Sequence, residues 1–292
     1  MQDSKYSQLS DRGVVRIAGP DVKILIEKLI TNSLTSMTPN NAIHTGLLSP
    51  QGKILFDFFI KWSENDLIID IARSYIDEFI KRLTIYKLRS NVTFEDSSGS
   101  LVVVAAWNLD ANNFGHDIIS YKDPRLPELG YRLILPIKRL PELAGKYVSE
   151  DEYHAHRTII GIPEAGRDYK IGATFPHEAL YDQLDSVDFT KGCYIGQEVV
   201  SRMQHRGSAR KRIVPVSGDK SLTSNTEITA DGINIGSIKS VTKNRGLALV
   251  RLDLAHEAKL KNVCLMADSA ILTLEQRSWL RLDMSTGRSL DK

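Results

Sequence analysis

The last third of the chain places the strongest constraint on the fold. After Gly207 the sequence changes to short β-rich runs that Gly and Asn residues interrupt. Evenly spaced short strands are typical of small β-barrels and β-sandwiches. The predicted strands lie at 212–216, around 228, and at 233–240, 246–252, 263–266 and 271–274. We therefore predict a small β-barrel or sandwich over residues 207–283 and a frayed tail over 284–292.

Residues 1–206 show strand and helix patterns in alternation. Between two β-rich runs, Ser49, Pro50 and Gly52 occupy the first, second and fourth positions preferred in a type I turn, which predicts a hairpin over 43–61. Other predicted strands are 14–18, 67–72, 92–95, 101–106 and 131–135; predicted helices follow Pro20 and cover 75–86 and 150–160; a loop is predicted over 108–127. No long parallel-type run occurs, so this part is predicted to be α+β.

The composition is that of a globular protein with two or three domains. The chain has 292 residues, of which 25% are charged and 42% hydrophobic. The net charge of +2 does not favour a general nucleic-acid binder. Two cysteines make no disulfide framework, and the N-terminus lacks the apolar core of a secretory signal. We expect a cytoplasmic protein, or the mature form of an organellar one, with no membrane span.

One octamer, Lys-Gly-Cys-Tyr-Ile-Gly-Gln-Glu at 191–198, carries most of the chemistry. It combines a cation, a thiol, a phenol, an amide and a carboxylate with two glycines, which let a ligand approach the backbone closely. From about Ile195 the apolar spacing becomes helical, with Val199 and Met203 on the same stripe. The octamer therefore predicts a ligand site that runs into a helix.

The residues alone leave two interpretations of Cys193 open. In one, the helix N-terminus and Lys191 favour a reactive thiolate. In the other, Cys193 is a small buried hydrophobic residue, and Glu198 and Arg202 form a surface ion pair of little energetic value. We predict no metal site, because a single cysteine has no metal-ligand spacing and the seven histidines are scattered.

The octamer, followed by Arg202 and then His205-Arg206-Gly207, resembles the signature of the folate-binding YgfZ family. This family is related to the glycine cleavage T-protein and includes a mitochondrial iron–sulfur assembly factor. Other stretches agree with it, namely 9–19, 29–32, 48–57, 161–163 and 176–178. The similarity thus runs from about Leu9 to Arg212, with the predicted barrel following.

The resemblance implies two α+β lobes within 1–206 and a C-terminal β-barrel, arranged as a three-domain ring around a central channel. Tetrahydrofolate or a derivative would bind in that channel. The implied role is the assembly or repair of iron–sulfur proteins, with an important motif cysteine and no conventional turnover. The implied partners are folate and iron–sulfur client or assembly proteins. We expect a monomer, cytoplasmic or, in a eukaryote, in the mitochondrial matrix.

Asp57 interrupts an otherwise apolar strand and shares a face with Leu55 and Phe59. By its pattern alone it is a solvent-facing residue on a half-buried strand. In the T-protein relatives, however, a carboxylate at the matching position contacts the folate near its reactive nitrogens. The resemblance therefore implies that Asp57 binds folate and takes part in catalysis beside Cys193. A carboxylate suits a pterin, whose amino and ring N–H groups are donors.

The resemblance also implies further folate contacts. Within and after the octamer these are Lys191, Tyr194, Gln197, Glu198 and Arg202. Outside it, Glu178 is a candidate, although it is also suited to the first turn of a following helix. Asn32 is equally suited to a binding role and to ending the first helix.

A basic cluster follows the octamer and consists of Arg202, His205, Arg206, Arg210, Lys211 and Arg212. It is typical of a solvated domain junction, but it would also suit a phosphate or the carboxylates of a folate glutamate tail. No aromatic residues interleave with it, so a base-stacking platform is not indicated.

Three functions compete. The first is a folate-dependent iron–sulfur assembly or repair factor. The second is an aminomethyltransferase of the glycine cleavage system, whose members typically carry a Phe-Ile-Gly version of the motif without the cysteine. The third is a module linked to tRNA modification that uses the basic cluster. Cys193 and Tyr194 favour the first over the second, and the weak net charge disfavours the third.

Overall fold

The computed structural model describes residues 3–109, 114–115, 117–207 and 209–290, and its chain forms two compact units. The first unit comprises Met1–Leu48, Leu55–Tyr153 and Leu184–Ile195; the second comprises Ser49–Ile54, His154–Gln183 and Gly196–Lys292. Each unit therefore collects segments that are distant in sequence. The predicted α+β class with a C-terminal barrel is confirmed. The predicted boundaries at 206 and 283 and the ring arrangement stay predictions.

The first unit contains two five-stranded sheets, with strand orders β3-β4-β5-β2-β6 and β10-β1-β7-β9-β8. The strands are β1 (Lys5–Gln8), β2 (Arg12–Ala18), β3 (Ala42–Leu48), β4 (Ile54–Ser63), β5 (Asp66–Ala72), β6 (Thr93–Asp96), β7 (Leu101–Trp107), β8 (Ile119–Lys122), β9 (Tyr131–Pro136) and β10 (Lys146–Tyr147). The helices are α1 (Val22–Glu27) and α2 (Ile76–Lys87). The predicted hairpin, helices and most strands of this region are confirmed.

Both helices pack on the first of these sheets through one shared apolar core. On α2 the buried residues are Ile76, Phe79 and Leu83, which follow helical spacing. Phe79 packs against Phe56 and Phe58 of β4, with ring centroids 5.2 and 4.9 Å away. These contacts bury the side of β4 that is opposite to Asp57, because successive strand residues point to opposite faces.

The other face of β4 meets a buried network of ion pairs. Arg132 bonds to Asp70 at 2.8 Å, and Arg12 bonds to the same carboxylate at 2.6 Å. A second carboxylate, Asp123, lies 3.4 Å from Arg132. The guanidinium carbon of Arg132 lies 4.3 Å from the ring centroid of Phe59. Removing one member of such a network leaves a buried charge uncompensated. Arg132 of this network packs on Phe59, which shares this face of β4 with Asp57.

The loop predicted over 108–127 is partly wrong. Residues 119–122 form β8, which pairs antiparallel with β9 between Ile119 and Ile134 and between Lys122 and Tyr131. The local composition is that of a loop, but the hydrogen bonds to the buried neighbouring strand β9 make this segment a strand. Residues 110–113 and 116 of the predicted loop lie outside the described residues.

The second unit contains the C-terminal barrel, which is closed with strand order β11-β14-β13-β12-β15-β16. Its strands are β11 (Lys211–Gly218), β12 (Glu227–Ala230), β13 (Ile233–Thr242), β14 (Arg245–Arg251), β15 (Leu265–Ala267) and β16 (Ala270–Leu274). Its helices are α4 (Gln197–Arg206), α5 (Leu252–Leu260) and the larger part of α3 (Glu150–Ile160). The barrel prediction is confirmed, whereas α5 was not predicted. Within the described ranges, no helix has the length and apolar character needed to cross a bilayer.

The tail predicted to fray from residue 284 is ordered through residue 290. Leu282 and Ser289 form an antiparallel bridge, and the Leu290 N–H donates to the Arg281 carbonyl at 2.8 Å. The turn between them is built on Asp283, whose carboxylate accepts from Ser285 and Thr286. These hydrogen bonds lower the pKa of Asp283 to about 2. Asp291 and Lys292 lie outside the described residues.

Candidate functional site

Asp57 is buried, not solvent-facing as its pattern alone suggested. Asp57 lies on β4 and is 7% exposed. Its carboxylate Oδ2 lies 3.1 Å from Nε2 of His44, which is on the adjacent strand β3. The other ring nitrogen of His44, Nδ1, lies 2.6 Å from the Ser186 hydroxyl. A buried polar group is tolerated only when it is hydrogen-bonded, so this chain of contacts stabilises the carboxyl in an apolar core.

Ser186 is held in place by the residues that follow α1. The Thr31 hydroxyl donates to the Ser186 carbonyl at 2.7 Å. The Asn32 amide nitrogen donates to the carbonyls of His44 at 3.0 Å and Asp185 at 2.6 Å. Its amide oxygen accepts the next backbone N–H. The side chain of Asn32, a predicted folate contact, therefore links β3 to the segment that carries Ser186.

Lys191 does not contact Cys193 in the way the sequence suggested. Its ammonium donates to the carbonyl of Glu27, the last residue of α1, at 2.8 Å, and to the carbonyls of Ile30 and Asn32 in the segment that follows, at 2.9 and 2.6 Å. The Glu27 carbonyl lies in the last turn of α1, where carbonyls lack helical partners and attract a cation. Burial lowers the pKa of Lys191, and the Glu27 carboxylate offsets only part of that effect. Lys191 thus connects the octamer to α1.

Cys193 is exposed, which decides against the buried-hydrophobe interpretation. It lines an open cavity of about 620 Å³ together with Glu27, Lys28 and the octamer residues 191–195. A Cβ placed on the neighbouring Gly192 would meet no atom within 4 Å, so the backbone here is also open. The cavity can therefore admit a molecule or a partner's side chain to the thiol.

Tyr194 lies on the same cavity but is itself 8% exposed. The Lys191 ammonium is 5.5 Å from the centroid of its ring. Burial raises the pKa of the Tyr194 phenol, with a contribution from Asp188. The neutral phenol can donate a hydrogen bond, and its ring supplies an apolar wall.

The rest of the octamer belongs to the second unit. Gly196 adopts a left-handed conformation with φ 82°, and α4 begins at Gln197. This confirms the predicted helix, although Val200 is its buried residue and not the predicted stripe of Val199 and Met203. Glu198 and Arg202 are both exposed. The structure therefore assigns Lys191–Ile195 to one unit and Gly196–Glu198 to the other.

The hairpin turn packs against α4 within the second unit. Gly52 has φ 77°, and its N–H donates to the Ser49 carbonyl at 2.8 Å, as a turn at Ser49–Gly52 requires. A Cβ added to Gly52 would lie 2.8 Å from Cβ of Val199. Glycine is thus needed here both for its backbone conformation and for close packing.

Replacing Gly52 with alanine should destabilise the fold more than the same change at Gly172. Gly172 has a nearly identical φ of 78°, but no atom lies within 4 Å of its added Cβ. Both variants carry the left-handed strain of about 1–2 kcal/mol, and only Gly52→Ala adds an overpacking cost of about 1–3 kcal/mol. Urea unfolding of the two variants measures this difference. Equal losses would contradict the packing role of Gly52.

Glu178 is a turn residue, and the helix predicted after it is absent from the described residues 176–185. Its carboxylate accepts the Phe175 N–H at 2.8 Å. Leu180 has a positive φ of 64°, which a continuing helix does not allow. Next to this turn the Lys53 ammonium lies 3.1 Å from the centroid of the Phe175 ring. Glu178 therefore stabilises the turn that supports this contact.

The basic cluster is not a continuous cationic surface. Arg212 is 2% exposed, and its guanidinium donates to Asp182 at 2.6 Å and to the carbonyls of His177 and Gly287. Burial alone would raise the pKa of Asp182. The positive charge of Arg212 is the largest of the effects that lower it, and the pKa of Asp182 lies below its ordinary value. The remaining members are exposed, namely Arg202, His205, Arg206, Arg210 and Lys211. Arg212 is therefore a structural residue.

Replacing Arg212 with alanine should cost about 3–5 kcal/mol of unfolding free energy, because Asp182 is left buried and unpaired. The neighbouring Arg210 has a side chain that is 69% exposed. Arg210→Ala is the matched control and should change stability by no more than about 0.5 kcal/mol. Thermal or urea denaturation compares the two. A small loss for Arg212→Ala would show that the pair does not stabilise the second unit.

Similarity to known proteins covers most of the chain. Residues 210–282 match the family described as CAF17, C-terminal beta-barrel domain. The human mitochondrial iron–sulfur cluster assembly factor IBA57 is 30% identical over 272 residues, which cover 83% of this chain and 76% of the human protein. The chain belongs to the IBA57 family of iron–sulfur cluster assembly factors. The predicted resemblance is thus confirmed in part: the family shown is IBA57, to which the predicted YgfZ family is related.

A second IBA57 protein and one solved structure add to this result. The mitochondrial IBA57 homolog of Mycosarcoma maydis is 34% identical over 236 residues, covering 73% of this chain but 57% of its own length. The chain thus spans little more than half of this relative. The glycine cleavage aminomethyltransferase T of Bartonella henselae superposes over 98% of this chain and 88% of its own, with a TM-score of 0.77 and 13% identity. That likeness establishes a T-protein-like fold for this IBA57 family member.

Sequence reasoning missed His44, which bonds to Asp57, and Ser186, which bonds to His44. They lie 142 positions apart, and no local pattern connects them. The available signal was His44 itself, a titratable residue in the predicted hairpin, whose strand β3 is buried throughout.

Proposed function

We propose that this protein assembles or repairs iron–sulfur proteins by binding a reduced folate at Asp57 and using the thiol of Cys193. Membership of the IBA57 family supports the first part of the proposal. The observation that carries the proposed site is the exposure of Cys193 on an open cavity of about 620 Å³. Thiolates are the usual protein ligands of iron–sulfur clusters, so an accessible thiol suits a protein that handles such a cluster as cargo.

Tetrahydrofolate or a derivative is the proposed cofactor, and the T-protein-like fold supports it. Asp57 is the central contact, because a carboxylate accepts the N–H groups of a pterin strongly. Tyr194, Gln197, Glu198 and Arg202 are proposed as further contacts. An exposed arginine such as Arg202 suits the carboxylates of the folate's glutamate tail.

Lys191, Asn32 and Glu178 receive a supporting role in this proposal. Lys191 bonds to the carbonyls of Glu27 and Ile30, and Asn32 bonds to the carbonyls of His44 in β3 and of Asp185. Glu178 bonds to the backbone of its own turn. These side chains hold the proposed contact residues in position through the backbone.

The proposed partners are iron–sulfur client or assembly proteins that dock against the cavity at Cys193. We propose that the protein works as a monomer without conventional turnover, in the cytoplasm or, in a eukaryotic cell, in the mitochondrial matrix. The human and Mycosarcoma maydis IBA57 proteins are named as mitochondrial, which supports the second location.

Calorimetric titration of the folded protein with tetrahydrofolate tests the folate part of the proposal. We expect saturable binding of one folate, and the absence of binding to the folded protein would refute this part. A glycine-cleavage assay with lipoylated carrier protein is the companion experiment. We expect no turnover, and robust turnover would favour an aminomethyltransferase instead.

A further inference from the structure

Asp57, His44 and Ser186 form a continuous hydrogen-bonded chain inside the first unit. His44 Nε2 lies 3.1 Å from Asp57 Oδ2, and His44 Nδ1 lies 2.6 Å from Ser186 Oγ. The Ser186 hydroxyl also donates to the Leu184 carbonyl at 3.0 Å. Exposure falls along the chain from 7% at Asp57 to 3% at His44 and 0% at Ser186. Asp57 is therefore the least buried end of this hydrogen-bonded series.

This order is the reverse of a hydrolytic triad. In a hydrolase the serine is the accessible reacting group, and the carboxylate lies behind the histidine. Here Ser186 is fully buried, and its carbonyl and hydroxyl are both engaged by neighbouring backbone and side-chain groups. The serine end cannot meet a substrate, so the effect of these hydrogen bonds is on the carboxyl group of Asp57.

The hydrogen bonds of Ser186 determine which proton His44 can place toward Asp57. A serine hydroxyl has one hydrogen. When it is donated to the Leu184 carbonyl, Oγ must accept from the Nδ1–H of His44. His44 Nε2 and Asp57 Oδ2 then face each other at hydrogen-bonding distance and require one proton between them. That proton lies on the carboxyl or on the ring, and the two positions differ in whether Asp57 is ionised.

The surroundings of His44 keep it in this orientation. Its ring lies 4.8 Å, centroid to centroid, from that of Phe59. Phe59 is in turn contacted by the guanidiniums of Arg12, Arg125 and Arg132, whose central carbons are 5.6, 4.8 and 4.3 Å from its centroid. The Asn32 amide holds the backbone carbonyl of His44. The imidazole is thus fixed by packing as well as by its hydrogen bonds.

We propose that His44, supported by Ser186, is the positioning residue for Asp57. It holds one carboxylate oxygen and accepts the shared proton when a donor-rich heterocycle binds, so that Asp57 meets the ligand's N–H groups as an ionised acceptor. This inference rests on the proposed folate function, since it assigns the heterocycle to the pterin of a reduced folate. No proton enters or leaves the pair, because it only moves from Asp57 Oδ2 to His44 Nε2.

Two isosteric substitutions separate positioning from simple packing. Gln places its terminal nitrogen near the site of Nε2, so His44→Gln retains a donor to Asp57. The amide cannot take up the shared proton, but it donates to the ionised carboxylate without needing that proton, so Asp57 still meets the ligand as an ionised acceptor. Asn places its amide near Nδ1, so His44→Asn retains a contact with Ser186 but loses the donor to Asp57. In calorimetry with tetrahydrofolate we expect His44→Gln to bind within about threefold of wild type and His44→Asn to bind about tenfold more weakly. Equal losses in the two variants would overturn the proposal.

A second measurement does not depend on folate. In the ¹⁵N-labelled protein, long-range ¹H–¹⁵N spectra report which ring nitrogens of each histidine carry protons, and His44→Gln identifies the signal of His44. We expect Asp57→Asn to shift the Nε2 signal of His44 and Ser186→Ala to shift its Nδ1 signal, with the signals of His256 unchanged. An unaltered His44 spectrum in Asp57→Asn would overturn the proposed coupling of His44 to Asp57. A shifted spectrum in a protein that binds no folate would support the proposed coupling of His44 to Asp57 and refute only the proposed folate binding.

Discussion

Replacing Asp57 with asparagine should weaken tetrahydrofolate binding roughly ten- to hundredfold, because a hydrogen bond to a charged group contributes about 1.5–3 kcal/mol. Asparagine keeps the size of the side chain but loses the negative charge and places a donor where the carboxylate accepts. The 3.1 Å contact to His44 is retained in an altered form, with the amide as the donor. Calorimetric titration of wild type and variant under identical conditions measures the loss.

The matched control for this variant is Asp77→Asn, since Asp77 is an exposed acid in the first turn of α2. It makes the same chemical change on the surface of the same unit and should leave folate affinity unchanged. Thermal unfolding of both variants establishes that they are folded. Wild-type affinity in a folded Asp57→Asn protein would remove Asp57 from the folate site.

Replacing Cys193 with serine should reduce the activity of iron–sulfur client enzymes to the level of cells that lack the protein. The thiol is exposed on an open cavity, so the change removes a reactive group without leaving a void in the core. We therefore expect the unfolding free energy to change by no more than about 0.5 kcal/mol. Rescue of a deletion strain, followed by assays of several client enzymes, measures the functional loss.

Cys264 is the natural control for this experiment because it is also exposed and lies in the second unit. Cys264→Ser should rescue the deletion strain as well as wild type does. Full rescue by Cys193→Ser would show that the motif thiol is dispensable, and equal loss in both variants would indicate a general need for thiols.

Much of the fold could be predicted because its strongest signals are local. The turn at Ser49–Gly52 and the short runs after Gly207 depend on residues that are adjacent in sequence, and the hairpin and the barrel are both present. The errors arose where tertiary contacts decide the structure. β8 forms by pairing with β9. At Glu178 a turn stands where a helix was predicted, and Leu180 has a positive φ that no helix allows.

The candidate site was predicted only in part, for a similar reason. The octamer indicated Cys193 as a candidate and the family resemblance indicated Asp57, but residues alone could not show that Asp57 is buried and Cys193 exposed. Lys191 was assigned to Cys193 because the two are close in sequence. In the structure its ammonium reaches the Ile30 carbonyl, 161 positions away. Ser186 meets His44 across 142 positions, a contact that no spacing rule predicts.

The most direct test of the account is whether folate binding and the motif thiol serve the same function. A deletion strain is rescued with wild type, Asp57→Asn, Cys193→Ser or the double variant, each at equal protein level, and iron–sulfur client activity is measured. If both residues act in one function, each single variant fails and the double variant is no worse than Cys193→Ser alone. Wild-type client activity with either single variant would contradict the account.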